Sequence, residues 1–369
     1  MHLSTLALPL LAASVDAQLH KLAKQAGLKY FGAATDTPGF RERAGLEAAY
    51  EQYNAIRDDT NEFGQTTPTN GQKWLFTEPE RGVFNFTEGD VVADIAENNG
   101  QILRCHALVW HSQLAPWVEQ GTWTAEEVEQ IIVDHITNVA GYYKGKCYAW
   151  DVVNEALEED GSYRKSVFYN ALGEDYIKLA FKTAAEVDPT AKLYYNDYNL
   201  ESPSPKSRAA VNIVKMLQAE GIKIDGIGMQ AHLVADRAAT LDDQIAVIES
   251  YAATGVEVAY TELDVRLFTP NDEEKLALQK EVYRNSTGAC VQTEACVGIT
   301  LWDFYDPFSW VPYVFEGEGD ALLWFEDFEK HPAYDGVVEA LTNGTKPCKP
   351  GKGRGKGKGK GHKRSNKLF

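Results

Sequence analysis

The sequence predicts an α/β protein built as a single (β/α)8 TIM barrel, and two observations carry that prediction. Short apolar runs recur eight times at wide spacing with helical patterns between them, and polar or aromatic residues gather where those runs end. Strand and helix alternating in this way build a closed parallel sheet whose working face lies at the carboxyl ends of the strands.

The runs cover residues 30–34, 62–67, 102–110, 148–153, 192–195, 226–230, 256–260 and 297–302. Between them, segments such as 125–143, 207–220 and 241–254 place apolar residues three and four apart, the period of an amphipathic helix. The second run leads to Asn70 and Lys73, and the third carries His106, Trp110, His111 and Gln113. The fourth delivers Asn154 and Glu155, the fifth Asn196, Asp197, Tyr198 and Asn199, and the sixth Gln230 and His232. Glu262 and Asp264 follow the seventh run, and Trp302 and Asp306 the eighth. Chance exposure does not collect such residues at one end of seven strands.

Composition narrows the partners. The chain has 369 residues, 44% hydrophobic and 24% charged, which suits a soluble globular protein with one large core. Residues 1–345 hold 26 Lys and Arg against 54 Asp and Glu, a formal balance of −28, so phosphate would be repelled and a nucleic-acid partner is excluded. A neutral or cationic substrate is favoured. The five cysteines are too few to form the scaffold. Cys290 and Cys296 are close enough in sequence for a small loop-closing disulfide, whereas Cys105 and Cys147 could bridge or remain buried thiols. With no CxxC pair or HExxH helix, neither a metal nor another cofactor is expected.

Residues 1–17 have the pattern of a secretory signal peptide, an apolar stretch too short to span a bilayer followed by small residues, so no membrane anchor is expected. Glycosylation sequons at Asn85, Asn285 and Asn343 agree with export to the extracellular space. A single (β/α)8 domain is expected over 18–343, and a basic Gly/Lys-rich tail over 344–369 cannot bury a core and should be disordered. Two readings of the tail stay open: a tether to anionic wall polymers, or a merely solvated segment.

The chemistry is carried by the stretch Trp150-Asp151-Val152-Val153-Asn154-Glu155-Ala156, a buried run that ends on an amide and an acid. Alone, Glu155 could simply start a helix, where a carboxylate suits the dipole. A second apolar run ending in Thr261-Glu262-Leu263-Asp264 changes that reading, because two strand-terminal glutamates make a carboxylate pair. Such pairs hydrolyse glycosides, one member protonating the leaving oxygen while the other attacks the anomeric carbon or activates water.

Taken together the segments resemble the fungal secreted xylanases of glycoside hydrolase family ten, retaining endo-enzymes on a (β/α)8 barrel. The likeness runs from about residue 18 to 341 and rests on LRCHALVWHSQLAPW, CYAWDVVNEAL, YYNDYN, QAHL, VAYTELDVR and GITLWDFYDPFSWVP. It implies that Glu155 is the general acid/base and Glu262 the nucleophile, with His232 and Asp264 orienting the nucleophile and Asn154 bonding a sugar 2-hydroxyl. It assigns Asn70, Lys73, His106, Trp110 and Gln113 to the glycone side and Trp302 and Trp310 to aromatic walls. Tyr198 and Asn196 fall to the aglycone side and the acid/base surroundings, and Gln230 to substrate binding. A retaining pair sits roughly 5 to 5.5 Å apart, where one ionised carboxylate keeps the other protonated until the first is esterified.

One stretch departs from the pattern. The family usually reads Pro-Glu-Asn-x-Met-Lys-Trp after the second strand, and here it is Pro68-Thr69-Asn70-Gly71-Gln72-Lys73-Trp74, without the sugar-binding carboxylate. The resemblance implies a monomer acting on xylan and xylo-oligosaccharides as an endo-1,4-β-xylanase. Competing expectations are a β-glycanase for cellulose or mannan, and a non-catalytic xylan-binding or inhibitor protein; retention of both glutamates argues against the latter.

Overall fold

The computed structural model describes residues 18–36 and 46–344; the expected leader, the tail from residue 345 onward and Cys348 lie outside these residues. In chain order the strands are β1 (Tyr30–Thr35), β2 (Gln65–Pro68), β3 (Ile102–Trp110), β4 (Cys147–Asn154), β5 (Lys192–Asp197), β6 (Gly226–Met229), β7 (His232–Val234), β8 (Glu257–Phe268), β9 (Cys296–Leu301) and β10 (Glu318–Gly319). Eight of them form a closed parallel barrel in the order β1, β2, β3, β4, β5, β6, β8, β9, with β9 returning to β1. The short β7 lies alongside β8, and β10 pairs antiparallel with its far end. The predicted TIM barrel is therefore the observed fold.

Helices begin where the sequence supplies caps. Thr124 and Glu127 form a reciprocal capping box for Ala125–Tyr142, Ser204 caps Pro205–Ala219 with proline at the first turn, and Thr240 caps Leu241–Ala252. Their apolar faces, such as Ile132, Ile136 and Val139 on the first of these, are buried against the barrel.

Two strands differ from the sequence reading by more than two residues at an end. The second run was expected from Glu62, but Glu62 and Phe63 close a turn by donating their backbone N–H groups to Asp59, and the ladder starts at Gln65. The Glu62 carboxylate instead accepts the Tyr334 hydroxyl at 3.0 and 3.1 Å. The seventh strand, expected over 256–260, runs on to Phe268, because Leu263 still pairs with β9 and Asp264 to Arg266 pair with β7. Glu262 and Asp264 thus project from within a strand, where ladder bonds fix their backbone, rather than from a loop beyond it.

The barrel interior changes character with height. At its base Tyr30 meets Tyr148 edge-on and Tyr194 donates to Glu257 at 2.6 Å. A Cβ on Gly298 would lie 2.5 Å from the Tyr30 ring, so glycine is what admits that ring. Higher up, Arg104 and Asp151 form a fully buried ion pair, with the Arg104 guanidinium over the face of Tyr194. Removing one partner of such a pair would cost about 3–5 kcal/mol. Two disulfides reinforce the shell: Cys105–Cys147 ties β3 to β4, and Cys290–Cys296 joins the helix Glu273–Gln292 to β9.

Candidate active site

A cavity of about 630 Å³ opens at the carboxyl ends of the barrel strands. Glu262 enters it from β8 and Glu155 from the residue just past β4. Asn70, Lys73, His106, Trp110, Gln113, Asn154, Tyr198, Gln230, His232, Trp302 and Trp310 also reach its wall. Asn196 and Asp264, both fully buried, support the wall from behind. Asp306 does not reach the cavity: it turns away to accept from Leu322 N at 2.9 Å and to pair with His331 at 2.7 Å.

Backbone conformation marks the same rim. Gln113, Glu155, Asn199, Ala231 and Asp303 all take left-handed φ values between 48° and 70°. A side chain in that region is sterically costly and persists only where its surroundings hold it. At Glu155 the holding bonds are its own N–H to the Asn196 carbonyl at 2.9 Å and Arg164 Nε to the Glu155 carbonyl at 3.0 Å.

Glu262 is almost completely enclosed and is bonded on both oxygens. Its Oε1 accepts from Asn196 Nδ2 at 2.8 Å, and its Oε2 lies 3.1 Å from His232 Nε2. Burial alone would raise its pKa, but the His232 hydrogen bond, the charges of His106 and His232, and the Asn196 bond outweigh burial and hold it at about 2. His232 shows the complementary shift. Burial opposes its charge, yet Asp264 at 2.9 Å on Nδ1 and Glu262 on Nε2 raise it to about 10, so both ring nitrogens donate. Trp310 Nε1 gives Asp264 a further bond at 2.7 Å, fixing the carboxylate that fixes the histidine.

Glu155 has a looser setting. Gln230 Nε2 donates to its Oε1 at 3.1 Å, and His111 Nδ1 stands 3.9 Å from its Oε2. Burial lowers the His111 pKa against the pull of Glu155. The two carboxylates are joined by a chain of amides: Gln230 also donates to Asn154 Oδ1 at 3.1 Å, and Asn196 donates to the same oxygen at 2.9 Å and to Glu262. With Oδ1 taken twice, the Asn154 NH2 is the group left for a ligand. Asn196 was expected beside the acid/base, but its side chain serves Glu262 and Asn154 and only its carbonyl touches Glu155.

Around the pair, His106 is held by Asp151 at 2.9 Å and lies 4.0 Å from Glu262 Oε1. Trp302 meets His106 edge-on with ring centres 5.4 Å apart, and Lys73 Nζ donates to Asn70 Oδ1 at 3.0 Å while sitting 5.0 Å from the Trp110 ring centre. Across the cavity Tyr198 accepts from Arg164 at 2.6 Å, and the buried Lys206 ammonium lies 3.4 Å from its ring centre. Lys206 is itself neutralised by Asp197 at 3.0 Å and Glu159 at 3.1 Å.

Sequence reasoning missed several contributors, Asp303, Phe308, Val314 and Phe315 on the cavity wall among them. Arg104 and Asp151 support His106 from below; charges inside apolar runs, which can be buried only if paired, were the available signal. Asp36 and Arg266 line the cavity. Asp36 directly follows β1, the barrel strand whose end supplied no site residue to the sequence reading.

Known proteins resemble this chain in sequence and in fold. The sequence profile of glycosyl hydrolase family 10 matches residues 18–340. The chain is 70% identical to endo-1,4-beta-xylanase A of Humicola insolens, over 90% of this chain and 89% of that protein. It is 47% identical to endo-1,4-beta-xylanase D of Talaromyces funiculosus, over 89% of this chain and 79% of that protein. A crystal structure of a family 10 xylanase from Bispora sp. MEY-1 with xylobiose superposes with a TM-score of 0.84 at 40% identity, covering 88% of this chain and 99% of that one.

Proposed function

The chain belongs to glycosyl hydrolase family 10, and from that premise we propose that it is an endo-1,4-β-xylanase cutting internal bonds of xylan with retention. The observation that carries this reading is the amide chain Gln230–Asn154–Asn196 strung between a carboxylate held ionised, Glu262, and a second, less constrained carboxylate, Glu155. One group is equipped to attack and the other to exchange a proton.

In the first step a Glu262 oxygen bonds to the anomeric carbon of the glycone sugar as the C–O bond to the leaving sugar breaks, and Glu155 gives its proton to that oxygen. Esterification removes the Glu262 charge, and Glu155, now a carboxylate, takes a proton from water as the water oxygen displaces Glu262. The Asn154 NH2 meets the 2-hydroxyl, where its bond can strengthen as positive charge develops on the ring. His232 and Asp264 keep Glu262 aimed and anionic. Trp302 and Trp310 offer faces to the apolar C–H surface of a pyranose, while Lys73, Asn70 and Gln113 meet hydroxyls. Tyr198 borders the leaving sugar.

Export is part of the proposal, with the catalytic domain following a removed leader. Two disulfides suit an oxidising compartment, and Asn85 and Asn343 are exposed, as glycan acceptors must be. No described helix is long and apolar enough to cross a membrane.

Reducing-end release measured side by side on xylan, carboxymethylcellulose and mannan tests the substrate class. Xylan should dominate; equal or greater activity on mannan would reject the assignment. Proton NMR of early hydrolysis should show the β-anomer first, and initial α product would exclude the covalent route.

A further inference from the structure

At the end of the cavity away from Tyr198, the walls are the ends of β1 and β2, and the carboxylate there is Asp36. The ladder pairs Ala34 with Thr67 and Thr35 with Pro68, so one further step sets Asp36 beside Thr69, a strand spacing of about 4.8 Å away. Thr69 carries no charge and its hydroxyl touches Asn70 only distantly, at 3.4 Å. Asp36 accepts from Asn70 N at 3.0 Å and from Asn70 Nδ2 at 2.6 Å, while Asn70 Oδ1 accepts from Lys73. Among the described residues two bonds fix the carboxylate, one on each oxygen, and each oxygen keeps a lone pair for a hydroxyl.

The other acids on the wall are committed. Glu155 and Glu262 flank the reacting bond, and Asp303 is spent on Phe304 N, Tyr305 N and the Tyr53 hydroxyl. His106 stands 4.0 Å from Glu262 Oε1 with Trp302 edge-on to it, and the same cavity wall continues through Lys73, which bonds Asn70, to Thr69 and Asp36, so a sugar bonded to Glu262 would present its outward neighbour to Asn70, Thr69 and Asp36. Resting on the function proposed above, we propose that Asp36 is a specificity-determining residue that accepts a hydroxyl hydrogen bond from the second glycone sugar. The carboxylate missing at position 69 is thereby supplied from the neighbouring strand.

Two chromogenic substrates isolate the contact: p-nitrophenyl β-xylobioside reaches the second unit and p-nitrophenyl β-xyloside does not. Loss of a hydrogen bond to a charged group should make Asp36→Ala lower kcat/KM on the xylobioside by about tenfold, mostly through KM, and change the xyloside less than about twofold. Asp36→Asn, which keeps the shape, should lie between. Adding Thr69→Glu to Asp36→Ala should restore most of the loss. In the unmodified background Thr69→Glu should gain less than about threefold, since two adjacent carboxylates repel. Equal losses on both substrates would overturn the proposal, leaving Asp36 a mere support for Asn70 and Lys73, and so would no loss, or no rescue by Thr69→Glu. Failure of the enzymatic reading is distinguishable, because the unmodified protein would then release nitrophenol from neither substrate.

Discussion

Glu262 and Glu155 are the same residue type on the same barrel face, yet the protein builds opposite surroundings for them. Glu262 stands inside β8, walled in and bonded on both oxygens by His232 and Asn196. Glu155 stands one residue past β4 on a left-handed turn, with one amide bond from Gln230. A nucleophile must be ionised and aimed at one atom. An acid/base must change protonation twice in a cycle, so few permanent partners suit it. Side-chain chemistry is equal in the two cases; the contrast in roles proposed for them rests on environment.

The largest test of that contrast is removal of each carboxylate. Glu262→Ala should reduce xylan turnover by at least about 10⁴-fold, and Glu155→Ala by about 10²- to 10⁴-fold, as expected for loss of general acid/base help. Similar losses on every substrate from both variants would break the comparison.

His232→Asn should come next, at about 10²-fold in kcat, with a change that a mere packing defect would not cause. The imidazolium is among the groups holding Glu262 at about 2, so its loss raises the Glu262 pKa and the acid limb of kcat/KM should move to higher pH. An unmoved limb would show that His232 does not tune the nucleophile. Gln230→Ala releases only the bond on Glu155 Oε1 and one on Asn154, and should cost about tenfold.

The smallest effect is a stability one and uses a third carboxylate. Burial raises Glu62, outside the cavity, to about 7, against an ordinary value near 4.5, with the Tyr334 bond and the Lys330 charge opposing. A raised folded-state pKa contributes stability that is full below about 4.5 and is lost as pH rises through about 7, whereas the depressed Glu262 contributes above about 4.5 and loses it as pH falls toward 2. Thermal unfolding midpoints should therefore decline between pH 4.5 and 7 less steeply in Glu62→Gln than in the unmodified protein. Parallel curves would contradict the assignment.

Legibility from sequence followed the range of the interactions. Barrel strands and helices announce themselves by local periodicity, and residues at strand ends cluster at the site because the barrel converges there. The reach of β8 was not legible, since Thr261 to Asp264 is polar enough to read as a loop until β9 and β7 supply ladder partners. The partner of Asn196 was likewise hidden: it depends on β8 lying across β6 from β5, with Gly228 leaving space for the amide, since a Cβ there would stand 2.1 Å from Asn196 Oδ1. The Cys105–Cys147 bridge stayed open for the same reason, needing β3 and β4 side by side at a Cα separation of 5.7 Å.

The central claim is that the two glutamates divide the work, and single-turnover release from an aryl xylobioside with a good leaving group, such as dinitrophenol, tests it most directly. Because that leaving group needs no proton, Glu155→Ala should release about one equivalent in a rapid burst and then stall for want of a base, while Glu262→Ala shows no burst. A burst from Glu262→Ala, or none from Glu155→Ala, would contradict the assignment.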